Sequence, residues 1–183
     1  MFTLDIDPQL KLSLVEKSMA ARYFQIAATE RAYLSEWLAW PPHAHDEQFF
    51  ERFIQSSLHD YADGKSLVCA MIFQDQVVGN ISFNKIDQQL KRVEIGYWLS
   101  AAYQGKGIVT RCVAKLIELA FTKYEMEKVQ ISAAEKNQPS RNVAERLGFT
   151  LEGIISRAEN LNGRVVDHAI YGLSKVAWKQ AKA

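Results

Sequence analysis

The sequence predicts a mixed α/β fold in which helices and strands share one domain, and three observations support this prediction. The chain has 183 residues, of which 48% are hydrophobic, and this length suits one globular domain with its own core. Helical spacing of apolar residues in the first third gives way to a middle region rich in Val and Ile. A strand–helix–strand crossover then lies at the centre of the chain. We therefore expect residues 1–183 to form a single domain.

The charge balance argues against a nucleic-acid partner. Lys and Arg number 22 and Asp and Glu 21, whereas nucleic-acid-binding domains carry a basic excess. The N-terminus lacks the basic and apolar regions of a signal peptide, and no apolar run reaches the roughly 18 residues of a membrane span. We expect a cytoplasmic protein that contacts neither nucleic acid nor a membrane.

Neither the cysteines nor the histidines form a metal-binding pattern. Cys69 and Cys112 stand in apolar stretches, which predicts reduced thiols in the core. His43 and His45 are separated by one residue, but no carboxylate–histidine cluster completes a ligand set. We therefore expect no metal site.

The first 60 residues have a helical pattern. Ser18 is placed to cap a first segment with a break near Ala28–Thr29, and Pro41-Pro42 ends it because proline lacks the N–H that a helix needs. Asp46 is placed to cap a second, amphipathic helix, which Gly64 ends. The sequence therefore predicts that the chain opens with helices only.

Strands follow in the middle of the chain. The runs Ser66–Phe73 and Val77–Phe83 flank a short polar turn, which predicts a hairpin. Arg92–Leu99 is a third strand candidate. A single apolar stripe at helical spacing predicts a long helix from Gly107 to Tyr124.

The last third predicts a second strand–helix unit and a second hairpin. Lys128–Ala134 has the pattern of a strand, and Pro139–Leu147 that of a short helix ended by Gly148. Phe149–Arg157 and Val165–Ser174 are predicted strands, and the Asn-Gly pair between them favours a tight turn.

A glycine-containing loop joins the third strand to the long helix. Glycines let the backbone turn tightly, and the free N–H groups of a helix N-terminus attract an anion such as a pyrophosphate. Gly107 follows Lys106 where a Walker A loop needs Ser or Thr, and Thr110 stands where a dinucleotide fingerprint needs glycine. Both common nucleotide motifs are therefore excluded, which leaves another anion site or a plain turn.

Three blocks of the sequence resemble the GNAT acetyltransferases. The segment 104–109, QGKGIV, resembles the Gln/Arg-x-x-Gly-x-Gly/Ala signature of that superfamily, with Val109 at the last position. The longer segment 94–110, EIGYWLSAAYQGKGIVT, is similar to the Rim-type branch, which includes the ribosomal-protein N-acetyltransferases. Two further similarities to this branch are Asn137-Gln138-Pro139-Ser140 with Ala144–Phe149, and Asn162-Gly163-Arg164 with Asp167, His168 and Tyr171.

The resemblance implies a fold and a cosubstrate. The fold is a twisted, mostly antiparallel sheet flanked by helices, in which the parallel strands Arg92–Leu99 and Lys128–Ala134 splay apart. Acetyl-coenzyme A then binds with its pyrophosphate on the glycine loop and its pantetheine arm along the opened strand. The implied cofactor-binding residues are Trp98, Leu99, Gln104, Gly105, Lys106, Gly107, Ile108, Val109, Thr110 and Asn137.

The resemblance also implies two catalytic residues, and each has a simpler alternative. Glu94, inside a strand, is the candidate general base, acting directly or through water; the alternative is a salt bridge to Lys91 or Arg92. Ser140 is the candidate hydroxyl that donates to the departing thiolate, and the alternative is a helix cap. For Asn137 we favour a cofactor contact over a cap.

The predicted function is transfer of an acetyl group from acetyl-coenzyme A to a primary amine. We favour a protein N-terminus, such as that of a ribosomal protein, because an α-amine has a pKa of about 7.7–8.0 against about 10.4 for lysine. We expect direct transfer, because Cys112 lies on the apolar helix stripe and no other nucleophile is evident. A small-molecule amine acceptor, a non-catalytic acyl-coenzyme A-binding protein and a structural scaffold are the alternatives. The aromatic segment 37–42 is open to three interpretations: the surface of a homodimer, a substrate wall, or core packing.

Overall fold

One eight-stranded sheet organises the protein in a computed structural model, which describes residues 2–181. The strand order is β1-β2-β3-β4-β5-β6-β8-β7. The strands are β1 (Thr3–Asp7), β2 (Leu10–Leu14), β3 (Leu67–Phe73), β4 (Gln76–Asp87), β5 (Arg92–Leu99), β6 (Lys128–Ala134), β7 (Thr150–Leu161) and β8 (Arg164–Ser174).

Helices cover both faces of this sheet. They are α1 (Ala20–Thr29), α2 (Arg31–Ser35), α3 (Glu47–Ala62), α4 (Ile108–Thr122), α5 (Gln138–Arg146) and α6 (Lys175–Gln180), with short 3₁₀ turns at Lys17–Met19, Pro41–His43 and Ala101–Tyr103. Between residues 2 and 181, no helix combines the length and apolar composition needed to cross a membrane.

The sheet confirms the predicted mixed α/β fold and opens where expected. All neighbouring strands are antiparallel except β5 and β6, which α4 joins as a crossover. Their pairing runs from Arg92 with Lys128 to Ile95 with Ile131 and then stops. The residues 96–99 of β5 therefore have no partner in β6, which leaves a gap between the two strands.

Two apolar clusters lie on the two faces of the sheet. The buried side of α4 packs with Val93 and Ile95 of β5 on one face. On the other face, Tyr23 of α1 and Ile54 of α3 pack with Val68 of β3. Every residue of β3 is buried because both faces of this strand are covered.

The predicted all-helical start of the chain is wrong. β1 and β2 form a hairpin at the edge of the sheet, and β2 pairs with β3. The alternation of β2 explains this, since Leu10 and Leu12 are 1% and 0% exposed while Lys11 between them is only half-buried. Ser18 does not cap α1: the cap position is Met19, which makes no side-chain cap bond. Pro41-Pro42 forms a 3₁₀ turn six residues after the end of α2 rather than ending a long helix.

The remaining predicted helices and strands are present, although β4 and β7 each run four residues beyond their predicted ends. Asp46 caps α3 by accepting a hydrogen bond from the N–H of Phe49 at 2.8 Å. The observed bounds of β5 and β6 are those predicted. β7 runs four residues beyond its predicted end, because it continues through a bulge in which Arg157 has φ +53° and donates its N–H to Asp167.

Candidate functional site

The loop between β5 and α4 presents unpaired backbone donors. Gly105 and Gly107 have φ of +74° and +68°, in the left-handed region that glycine enters at least cost, and Gly107 is the N-cap of α4. The N–H groups of residues 107–110 have no hydrogen-bond acceptor within the described chain. With the positive end of the helix dipole, these N–H groups can bind an anion such as a pyrophosphate.

Arg111 holds this loop against the first hairpin. Its guanidinium donates to the carbonyl of Lys106 at 3.2 Å and to that of Gly107 at 3.3 Å, and it also pairs with the carboxylate of Asp7. Because Arg111 is engaged in this way, the exposed side chain of Lys106 is the loop's free cation, with no ion pair within residues 2–181.

Val109 leaves the anion site open. Its side chain packs against the main apolar cluster, next to Ile108, which is 1% exposed. The side chain thus points to the core rather than to the loop. A valine at this position therefore does not obstruct the N–H groups of α4.

The junction of α1 and α2 holds the other end of the loop. The carboxylate of Glu30 accepts from the hydroxyl of Ser100 at 2.6 Å and from the N–H of Ala101 at 2.8 Å. Tyr33 donates to the carbonyl of Leu99 at 3.2 Å and accepts from the amide of Gln104 at 2.5 Å. Sequence analysis did not find Glu30 or Tyr33, because each lies about 70 residues away along the chain from its partners and no local pattern marks it.

The gap beside β5 exposes backbone groups in an alternating pattern. The N–H of Ser100 donates to the carbonyl of Val78 in β4 at 2.8 Å, so this pair is hydrogen-bonded. Antiparallel pairing alternates, and the N–H and C=O of Trp98 therefore point to β4 while those of Leu99 and Tyr97 point to the gap. The side chain of Trp98 packs against Tyr23 of α1 on the opposite face from α4.

Ser140 and Tyr97 meet across the mouth of the gap. Their hydroxyl oxygens lie 2.9 Å apart, and the phenol oxygen is also 3.2 Å from the Ser140 carbonyl. Asn137 caps α5, since its side-chain oxygen accepts from the N–H of Ser140 at 3.3 Å. The amide nitrogen of Asn137 is not used in that bond and stays available to a ligand.

Glu94 lies on the face of β5 opposite the Tyr97 side chain, among polar side chains of β6. It alternates with Val93 and Ile95, which face the core under α4, so its carboxylate shares the face of Trp98. The amide of Gln130 donates to Glu94 at 3.4 Å and to Ser132 at 3.2 Å. Glu94 makes no salt bridge to Lys91 or Arg92. The alternating polar residues of β6 were a signal that sequence analysis could have used.

The β7–β8 hairpin reaches the aromatic segment 37–42. The Arg164 guanidinium lies 5.1 Å from the centre of the Trp37 ring, and the amide of Asn162 donates to the carbonyl of Ala39 at 3.0 Å. Trp40 packs against Phe50 with ring centres 5.6 Å apart, which supports core packing for this tryptophan. Trp40 also packs against Trp98, with ring centres 5.7 Å apart, and Trp98 shares the Glu94 face of the sheet.

Both cysteines are buried and free, which confirms their place in the core. Burial raises the pKa of the Cys112 thiol to about 12, so it is not a thiolate at neutral pH. Within residues 2–181, no group of three or more histidines, cysteines or carboxylates lies close enough to hold a metal ion.

Comparison with known proteins identifies the family. Residues 9–150 match the acetyltransferase (GNAT) domain family. The chain is 32% identical to YdaF of Bacillus subtilis (strain 168) over the whole of both chains, and 30% identical to the ribosomal-protein-serine acetyltransferase of Escherichia coli (strain K12) over 92% of this chain and 94% of that protein.

Solved structures agree with this match. RimL, the ribosomal L7/L12 α-N-protein acetyltransferase, in complex with coenzyme A, superposes with a TM-score of 0.92 at 27% identity and covers 96% of this chain and 99% of its own. The microcin C7 self-immunity acetyltransferase MccE, in complex with acetyl-coenzyme A and AMP, has a TM-score of 0.88 at 31% identity over 92% and 94% of the two chains. The glycine loop, the opened strand pair and these matches together show that the chain belongs to the GNAT acetyltransferase family.

Proposed function

We propose that this acetyltransferase moves the acetyl group of acetyl-coenzyme A to the N-terminal α-amine of a protein, such as a ribosomal protein, by direct attack in a ternary complex. One observation carries the proposal. The gap above Ile95 and Ile131 has the Glu94 carboxylate on one face and the Tyr97–Ser140 pair on the other. An acceptor amine and a thioester can therefore approach each other through the sheet.

Acetyl-coenzyme A fits the loop and the gap. The N–H groups of residues 107–110 and the Lys106 ammonium would bind the pyrophosphate, with Gln104 and Gly105 shaping the turn. The free backbone groups of Tyr97 and Leu99 would pair with the pantetheine amides as an added strand. Since the Leu99 carbonyl already accepts from Tyr33, its N–H is the group left for the ligand. The amide of Asn137 would complete the pantetheine contacts.

Glu94 is suited to accept the proton of the attacking amine. Its carboxylate is half-buried, makes no ion pair within residues 2–181 and accepts from the Gln130 amide, whose own oxygen accepts from Arg92 at 3.4 Å. An α-amine has a pKa of about 7.7–8.0 and a lysine about 10.4, so one carboxylate can deprotonate the α-amine more readily near neutral pH. RimL acts on the α-amine of a protein, which favours the same acceptor class here.

Ser140 is suited to stabilise the leaving thiolate. It occupies the first turn of α5, where the helix dipole favours negative charge, and its hydroxyl lies at the gap. The high pKa of buried Cys112 leaves it unfit as an acyl carrier, which supports direct transfer.

A small amine that carries a nucleotide is the second candidate acceptor. MccE, at 31% identity, was solved with AMP beside acetyl-coenzyme A, which is the observation that favours it. The two candidates differ in whether the acceptor must end in a peptide α-amine.

A thiol-release assay tests the proposal. Coenzyme A release is measured with acetyl-coenzyme A and three acceptors: a peptide with a free N-terminus and one lysine, the same peptide with a blocked N-terminus, and an amine-bearing adenylate. We expect release with the first peptide and none with the second. Release with the adenylate alone would overturn the protein acceptor, and binding without release under any condition would overturn catalysis.

A further inference from the structure

Tyr97 lies at the point where β5 and β6 part. It is two residues beyond the last pair of these strands, Ile95 with Ile131, and faces the same side of the sheet as Ile95. Its hydroxyl bridges to α5, where Ser140 is the third residue of the helix. This contact spans the mouth of the gap that acetyl-coenzyme A would occupy.

The phenol has two acceptors within reach but only one proton. When Tyr97 donates to the Ser140 carbonyl at 3.2 Å, the serine hydroxyl must donate to the phenol oxygen at 2.9 Å. When Tyr97 donates to Ser140 Oγ instead, the serine proton is free to point elsewhere. The second arrangement is a chain of two hydroxyls whose outer proton can reach a third atom.

The phenol remains protonated at working pH. Burial raises the pKa of Tyr97 to about 12, although the bond to Ser140 opposes this rise. Tyr97 is therefore a permanent donor, and a chain of donors strengthens the hydrogen bond at its end.

We propose that Tyr97 is a positioning residue that directs the Ser140 proton to the departing sulfur of coenzyme A. This inference rests on the proposed function. As the amine nitrogen bonds to the acetyl carbon, the C–S bond breaks and the sulfur leaves with its electron pair. The amine proton passes to Glu94, and the thiolate later takes a proton from solvent. Tyr97 and Ser140 keep their protons throughout and only donate hydrogen bonds, Tyr97 to Oγ and Ser140 to sulfur.

The test compares two acyl donors on four variants. The donors are acetyl-coenzyme A and its selenium analogue, whose selenol is the more acidic leaving group and needs less stabilisation. The variants are Tyr97→Phe, Ser140→Ala, the double substitution, and Tyr124→Phe as the matched control. Tyr124 is also a half-buried phenol, packed against Phe83 with ring centres 5.4 Å apart at the far end of α4.

With acetyl-coenzyme A, we expect Tyr97→Phe to lower kcat by about 5- to 30-fold and to leave KM within about twofold. The defect should shrink to less than about threefold with the selenium analogue. The double variant should be no more than about twofold slower than Ser140→Ala, because both substitutions break one chain. Tyr124→Phe should retain wild-type kcat with both donors.

Equal defects with both donors, or defects that multiply in the double variant, would overturn the positioning role. Circular dichroism and calorimetric titration with acetyl-coenzyme A verify that each variant is folded. If Tyr97→Phe unfolds, incorporation of 3-fluorotyrosine at position 97 keeps the shape and makes the phenol a stronger donor. The inference then requires a kcat at or above wild type, and a fall would contradict it. Failure of the wild type to release coenzyme A with any amine would instead reject the proposed function.

Discussion

The carboxylate of Glu30 lies 2.6 Å from the hydroxyl oxygen of Ser100, and this hydrogen bond joins the α1–α2 junction to the start of the glycine loop. The second carboxylate oxygen accepts the N–H of Ala101 at 2.8 Å. Ser100 is 2% exposed, so the hydrogen bond to Glu30 is made at a buried residue. The loop geometry therefore depends on a side chain 70 residues away in sequence.

Glu30→Gln should weaken acetyl-coenzyme A binding, although residue 30 would not contact the ligand itself. A glutamine can accept one of the two hydrogen bonds but not both. The loss of one hydrogen bond to a charged acceptor lowers stability by about 1–3 kcal/mol. We expect KM for acetyl-coenzyme A to rise about 5- to 10-fold and Tm to fall. Glu36→Gln, an exposed position on the same segment, is the control for charge. An unchanged KM in Glu30→Gln would mean that the loop holds its shape without this clamp.

Acetyl-coenzyme A should stabilise the folded protein against heat. A ligand at 100 times its Kd adds roughly 2.7 kcal/mol, which corresponds to roughly 5–10 °C in Tm for a chain of this size. Pantetheine, which lacks the pyrophosphate, should shift Tm far less, because the N–H groups of residues 107–110 have no other anion to bind. Differential scanning fluorimetry measures both shifts, and no shift at millimolar acetyl-coenzyme A would contradict the cofactor assignment.

Gly107→Asp should separate ligand binding from folding. Both Asp and Asn tolerate left-handed φ and serve as N-caps, so Gly107→Asn is the matched control. A Cβ at this position meets no atom within 4 Å, so neither side chain is blocked. The aspartate places a negative charge beside the bound pyrophosphate, and we expect at least a tenfold loss of affinity relative to Gly107→Asn in calorimetric titration. Equal affinities would mean that the phosphates bind elsewhere.

Glu94→Gln should lower kcat and spare acetyl-coenzyme A affinity. The amide is nearly isosteric but cannot take the amine proton, and loss of a general base typically costs about 10²–10⁴-fold. The defect should shrink as pH rises through the pKa of the acceptor α-amine, about 7.7–8.0, because more amine is then already neutral. A pH–rate profile of kcat checks this. A Glu94→Gln variant with wild-type kcat at pH 7 would mean that Glu94 is not the general base and has only a structural role.

Local chemistry determined most of the secondary structure. The bounds of β5 and β6 and the cap at Asp46 follow from alternation and from side-chain bonds over a few residues. The first hairpin was missed because β1 and β2 are five residues each, too short for their alternation to outweigh the helical pattern that follows. β2 is stabilised by pairing with β3, which lies more than 50 residues further along the chain, and β1 then pairs with β2.

The candidate site, like the fold, is set in part by local sequence patterns and in part by contacts between distant residues. The sequence by itself determined the glycine loop and the candidate residues Glu94 and Ser140, because each stands in a short motif with local meaning. Only the tertiary structure decided that Tyr97 meets Ser140, that Glu30 and Tyr33 hold the loop, and that the gap separates two polar clusters. The physical reason is distance along the chain: these contacts join residues 43 to 71 positions apart, and packing of the sheet against its helices, rather than any local pattern, brings them within hydrogen-bond reach.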